Sequence, residues 1–147
     1  IGINAAIAIP NLLASRRAAN EASAISTLRT IGTSESTYSS TLGFGDYGSL
    51  GGLNGADLID DSINLPVDVD TAKSSYIFNV VPDPDTSSYG GGYNSGASRV
   101  SDNGGTRHFV SDEAGAIYAK GGTTTPVTAR ASVVTDIVDA TDVAIGN

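Results

Sequence analysis

The sequence contains no cysteine. That excludes a disulfide, a thiolate metal site and a cysteine nucleophile. Tryptophan is also absent, and six Tyr and three Phe are the only aromatics among 147 residues. The hydrophobic share is 39% without Gly, set against roughly 45–50% with Gly counted in ordinary domains, and a thin core is expected. Cations are scarce: 8 Lys plus Arg against 16 Asp plus Glu leave a net charge of −8. Such an acidic surface repels phosphate, so nucleic acid is not expected as a general partner. No run approaches the ~20 apolar residues of a membrane span. The opening stretch from Ile1 to Ile9 is apolar but short. It has neither a charged leader before it nor a small-residue cleavage pattern after it. It is expected to be the end of a longer apolar segment.

What the chain does contain is Gly (18 residues), Ser, Thr and Ala in quantity, the composition of a loop-rich surface. The length suits one domain. Residues 1–41 read as a helix. Ala18, Ala22, Ile25, Leu28 and Ile31 recur at spacings of three and four and form an apolar stripe. Arg16, Arg17, Asn20, Ser23, Thr27 and Thr30 fall mostly off it. Gly32 is a weak point, and Gly43 with Gly45 ends the pattern. Pro10 removes a backbone hydrogen bond inside the helix, and Gly2 is a poor helix former. The stretch between them is therefore expected to be the least stable part.

Residues 42–147 read as a head. Asp46-Tyr47-Gly48 and Gly51-Gly52 are turn signals, and a short helix is expected around Ala56–Ser62, with Leu58, Ile59 and Ile63 facing the core. Residues 75–81 form the clearest strand, ended by Pro82. Tyr93–Ser101 reads as a weaker strand. Thr106–Ser111 and Ala116–Lys120 read as a hairpin around Asp112-Glu113-Ala114-Gly115, with Gly in the left-handed position. Thr124–Val134 reads as a further strand, and the tail from Thr135 as a short helix or an edge segment. The expected fold class is α+β, a long N-terminal helix with a small antiparallel sheet on its C-terminal half. The first dozen residues have no partner in such a domain and need cover from outside it.

The run Ala5-Ala6-Ile7-Ala8-Ile9-Pro10-Asn11-Leu12-Leu13-Ala14-Ser15-Arg16-Arg17-Ala18-Ala19-Asn20-Glu21-Ala22 resembles the N-terminal helix of type IV pilins and type II secretion pseudopilins. Ser26–Tyr38 looks like its continuation. Thr106-Arg107-His108-Phe109 and Asp112-Glu113-Ala114-Gly115-Ala116-Ile117 resemble the closing hairpin of the same group. The resemblance implies a pilin-like fold and a structural role without catalysis or cofactor. It implies that the subunit is held in inner-membrane lipid and then polymerises with copies of itself, with the help of assembly machinery, into an extracellular filament. Ile1, Ile3, Ile7, Ile9, Leu12 and Leu13 would then pack the filament core, with the helix unwound between Gly2 and Pro10. The alternative within the group is a pseudopilin of a short periplasmic assembly. The family's processing site and early glutamate do not occur in this sequence, and Asn4 stands where the family usually has a large apolar residue.

Other candidates carry less. His108 is the only histidine and reads as a structural or surface residue. No Gly-x-Ser-x-Gly accompanies it, and no enzyme is expected. Asp136, Asp139 and Asp142 would share one face of a helix and are weak candidates for calcium, which some pseudopilins bind near the C-terminus. Asp83 and Asp85 are weaker ones. Calcium takes about six to eight oxygens, and the EF-hand pattern is missing. Gly90-Gly91-Gly92 and Gly104-Gly105 read as turns, since no Gly-Lys-Ser/Thr follows either. For Arg16 and Arg17, acidic neighbours in a filament are preferred over lipid headgroups. Tyr38 is the only aromatic in residues 1–41, so no aromatic ladder runs along the helix.

Overall fold

The computed structural model describes residues 3–64, 70–83, 92–120 and 143–144, with residues 3–10, 83 and 143–144 as backbone only. Helix α1 (Ile3–Thr41) has 39 residues, a length of ~58 Å at 1.5 Å per residue. Ser and Thr are poor helix formers because their hydroxyls compete for backbone groups. Here the hydroxyls bond back along the helix instead. Thr27 Oγ1 donates to Ser23 O at 3.0 Å, Thr33 Oγ1 to Arg29 O at 3.0 Å and Thr37 Oγ1 to Thr33 O at 3.0 Å.

Two short helices follow, α2 (Leu50–Gly55) and α3 (Asp61–Asn64). The helix expected around Ala56–Ser62 is thus displaced to either side, and Gly51 and Gly52 lie inside α2 rather than in a turn. The Ser49 hydroxyl caps α2 by accepting from Gly52 N–H at 3.2 Å, and buried Leu50 and Leu53 hold it in place. Anchoring by core contacts outweighs the poor propensity of its glycines.

Strands β1 (Tyr76–Asp83), β2 (Gly92–Arg99), β3 (His108–Asp112) and β4 (Ile117–Lys120) pair in chain order as an antiparallel meander. A two-residue strand, β5 (Val143–Ala144), pairs with β4, which gives the tail an edge segment. Pro82 does not end β1 but lies opposite Tyr93 within it. Proline is tolerated there because β1 is an edge strand. The β3–β4 turn matches its expectation: Gly115 has φ +75 and its N–H donates to Asp112 O at 3.0 Å. The expected strand at Thr124–Val134 lies outside the described residues.

Alternation along β1 puts Tyr76, Phe78 and Val80 into the main core, while Ile77 packs with Val100 and Val110 in a second, smaller cluster. The main core joins Ala24, Leu28 and Ile31 of α1 to Leu53, Ile59, Ile63, Tyr93, Ala97, Phe109 and Ile117. Each large apolar side chain so buried contributes about 1.5–3 kcal/mol. The face that α1 presents differs from the stripe in the sequence. Ala18 and Ala22 are exposed, whereas Thr27, Glu21, Ser34 and Glu35 are buried. Gly32 also faces the sheet: a Cβ there would lie 3.1 Å from the Tyr93 hydroxyl, so the weak point of the helix is a site of close approach.

Candidate functional site

The strongest polar cluster among the described residues joins α1 to the base of the head. Glu21 is only 7% exposed. Its Oε1 accepts from Thr106 N–H and from the Thr106 hydroxyl, each at 2.7 Å. Its Oε2 accepts from Arg107 Nε at 3.0 Å and Nη2 at 2.8 Å. Both carboxylate oxygens are thus filled, one of them by the forked geometry that guanidinium provides. Burial alone would raise the Glu21 pKa. The Thr106 hydroxyl and amide and the Arg107 charge outweigh it and hold the carboxyl below its usual range.

Neighbouring contacts extend this latch. Asn20 Nδ2 donates to Gly104 O at 2.8 Å. The Ser23 hydroxyl donates to that of Ser74 at 3.1 Å. Tyr76 Oη donates to Arg107 O at 2.7 Å, and the Arg107 guanidinium lies 5.4 Å from the centre of the Phe109 ring. Ser74 and Ser75 form the two-residue turn that starts β1. Lys73 and Tyr76 exchange backbone hydrogen bonds of 2.9 Å across it, and both serines have positive φ, +50 and +62. Asn-Gly is the usual occupant of such a turn. Two left-handed serines cost of order 1–3 kcal/mol each, a strain held by the surrounding contacts.

A second carboxylate lies higher on the same helix face. Glu35 is fully buried. Its Oε2 accepts from Gly48 N–H at 2.9 Å, and its Oε1 is buried without a hydrogen-bond partner. Burial outweighs the single bond from Gly48 and pushes the Glu35 pKa up from 4.5 to about 7. Burial, then the nearby Glu35 carboxyl, pushes the Tyr93 hydroxyl up to about 12.

Of the core-packing residues expected from the sequence, Ile3, Ile7 and Ile9 lie in α1, and Leu12 is 70% exposed while Leu13 is half-buried. Ile1 and Gly2 lie outside the described residues. The isolated chain is helical from Ile3 through Pro10. Among the described residues no helix is long and apolar enough to cross a membrane. His108 is buried. Asp136, Asp139, Asp142 and Asp85 lie outside the described residues, and no group of three metal-ligating side chains occurs among those described. A groove of 480 Å³ between α1 and the β3–β4 turn is lined by Leu28, Gly32, Ser36, Tyr93, Ser111 and Glu113 among others; its hydroxyls have no histidine beside them.

The latch itself was not visible as a site in the sequence. Asn20-Glu21 and Thr106-Arg107 stand out there only through the family resemblance, and the fold brings these two segments together. No family model matches this chain, and comparison with curated proteins and with solved structures found no match either.

Proposed function

We propose that this chain is the structural subunit of a type IV pilin-like filament that polymerises through the N-terminal part of α1. The observation that carries this reading is the unequal cover of α1. The polar latch to the head begins at Asn20, and the buried face of the helix begins at Glu21. Below that level Asn11, Leu12, Ala14, Ser15 and Arg16 are all exposed. Residues 3–16 span ~21 Å of helix, rich in Ile, Leu and Ala. Small residues let helices approach closely, and branched apolar ones fill the space between them. Burying a side chain such as that of Leu12 contributes about 1.5–3 kcal/mol, repeated at every subunit.

The role of the head in this reading is mechanical. The Glu21 latch fixes the angle at which α1 leaves the sheet, so every copy presents the same shape to its neighbours. The chain would occupy inner-membrane lipid before assembly and the cell exterior after it.

The test is to shear filaments from the source cells, identify the subunit by mass spectrometry, and image the filaments by cryo-electron microscopy. A helical core formed by residues 1–41 is expected. Replacing Leu12 and Leu13 by Asp should abolish filaments while leaving the head folded. A chain found only as a monomer, with no filament containing it, would overturn the reading.

A further inference from the structure

Charge is unevenly placed along this molecule. Four of its eight cations, Arg16, Arg17, Arg99 and Arg107, gather where α1 leaves the head. Arg107 is paired with Glu21 and Arg99 with Asp102. Arg16 is exposed, and Arg17 makes one long contact of 3.4 Å to the Asn103 amide oxygen. Neither has a carboxylate partner among the described residues. Arg17 also lines a 210 Å³ recess with Arg99, Asp102, Gly105 and Thr106.

Higher on the head the sign reverses. The connection from α1 to β1 carries Asp46, Asp57, Asp60, Asp61 and Asp70, all exposed, and Lys73 is the one cation between residues 42 and 75. The Ser34 hydroxyl donates to Leu58 O at 2.9 Å, which places the Asp57–Asp61 flank beside residue 34 of α1. From residue 17 to residue 34 the helix rises ~26 Å.

Resting on the filament reading, we propose that the Arg16–Arg17 base of one copy docks on the Asp57–Asp61 flank of a second copy, with the two staggered along the helix axis. The two patches are complementary, differ in position, and occur on every copy. Such a contact is heterologous, and with the copies offset along the axis it propagates without closing. The basic patch directly adjoins Leu12 and Leu13, which makes it continuous with the proposed helix-packing face. Complementary charge of this kind sets register and speeds encounter, and it is screened by salt, with a Debye length of about 8 Å at 0.15 M.

The test uses charge reversal in the full chain. Arg16→Glu/Arg17→Glu and Asp60→Lys/Asp61→Lys should each lower the yield of sedimentable filament at least tenfold. Mixing the two variant subunits should restore it, because alternating copies then meet with opposite charge at every contact, and a chain carrying all four changes should polymerise by itself. Reversal variants that polymerise like the wild type, or a fourfold variant as poor as its parents, would overturn the docking. So would a loss confined to binding of anionic vesicles, which would assign the arginines to a lipid surface. Should a variant fail to fold by circular dichroism, wild-type elongation supplies the answer. It should slow as salt rises from about 0.05 to about 0.5 M, and acceleration would refute the contact. A wild-type chain that never polymerises refutes the filament reading and this contact together, an outcome distinct from filaments indifferent to reversal.

Discussion

Glu21 and Glu35 sit on one face of one helix, both buried, and their surroundings push them in opposite directions. At the base, four hydrogen bonds, two of them from a guanidinium, offset the desolvation of Glu21. Higher up, a single amide serves Glu35 and one oxygen has no partner. Burial disfavours charge in both places, and the number and sign of the partners decide the outcome. The base of the head is therefore an ionic clamp, and the upper contact is closer to a buried neutral acid.

The largest expected effect comes from breaking the clamp. Glu21→Ala leaves the Thr106 amide without its acceptor and Arg107 without its counter-ion. Removing one partner of a buried pair costs about 3–5 kcal/mol; because the Arg107 side chain is 40% exposed, the lower end of that range is expected here. Urea denaturation at neutral pH measures it, and a loss under about 1 kcal/mol would show that the clamp adds little.

The next effect separates the two carboxylates by pH. The folded-state pKa of Glu35 is raised, so unfolding releases a proton and stability falls as pH climbs from 4.5 through about 7. That gap corresponds to at most ~3 kcal/mol. Glu35→Gln should remove this slope and leave the protein more stable than wild type at pH 8, with little difference at pH 4.5. Glu21 has the opposite sign: its folded pKa is lowered, and its contribution is lost as pH falls below 4.5. Denaturation midpoints of both variants from about pH 2 to about pH 8 would show whether the slopes divide in this way.

The smallest effect is expected at Arg17. Its contact of 3.4 Å to Asn103 is longer than an ordinary hydrogen bond. Arg17→Ala should change unfolding free energy by less than about 0.5 kcal/mol. A larger loss would make Arg17 part of the clamp.

The long helix and the β3–β4 turn were legible in the sequence because each depends on local signals, a run of helix formers ended by glycines and a Gly placed for positive φ. The face of the helix was legible only in part. Leu28 and Ile31 were identified, but the rule that sends charge to water hid Glu21 and Glu35; the partners of Glu21 lie 85 and 86 residues away. Ser74 and Ser75 carry no left-handed signature, so the turn that opens β1 could not be read locally. Helix α2 was obscured by its glycines, since only the cores around Leu50 and Leu53 make it helical. Charge asymmetry was countable in the sequence, but its axial arrangement required the Ser34–Leu58 bond to place the acidic flank.

The separation of the clamp's halves along the chain also bears on the order in which its contacts form. Glu35 and Gly48 are 13 residues apart, whereas Glu21 and Arg107 are 86 apart. Loop-closure entropy makes the longer closure costlier by about 1.7 kcal/mol. During synthesis residues 35 and 48 emerge before β3, so the upper contact can close while the lower one still awaits its partner. The N-terminal part of α1 is thus the last to be locked to the head, and α1 emerges long before its final orientation is set. A helix whose orientation is set late stays adjustable until the head is finished.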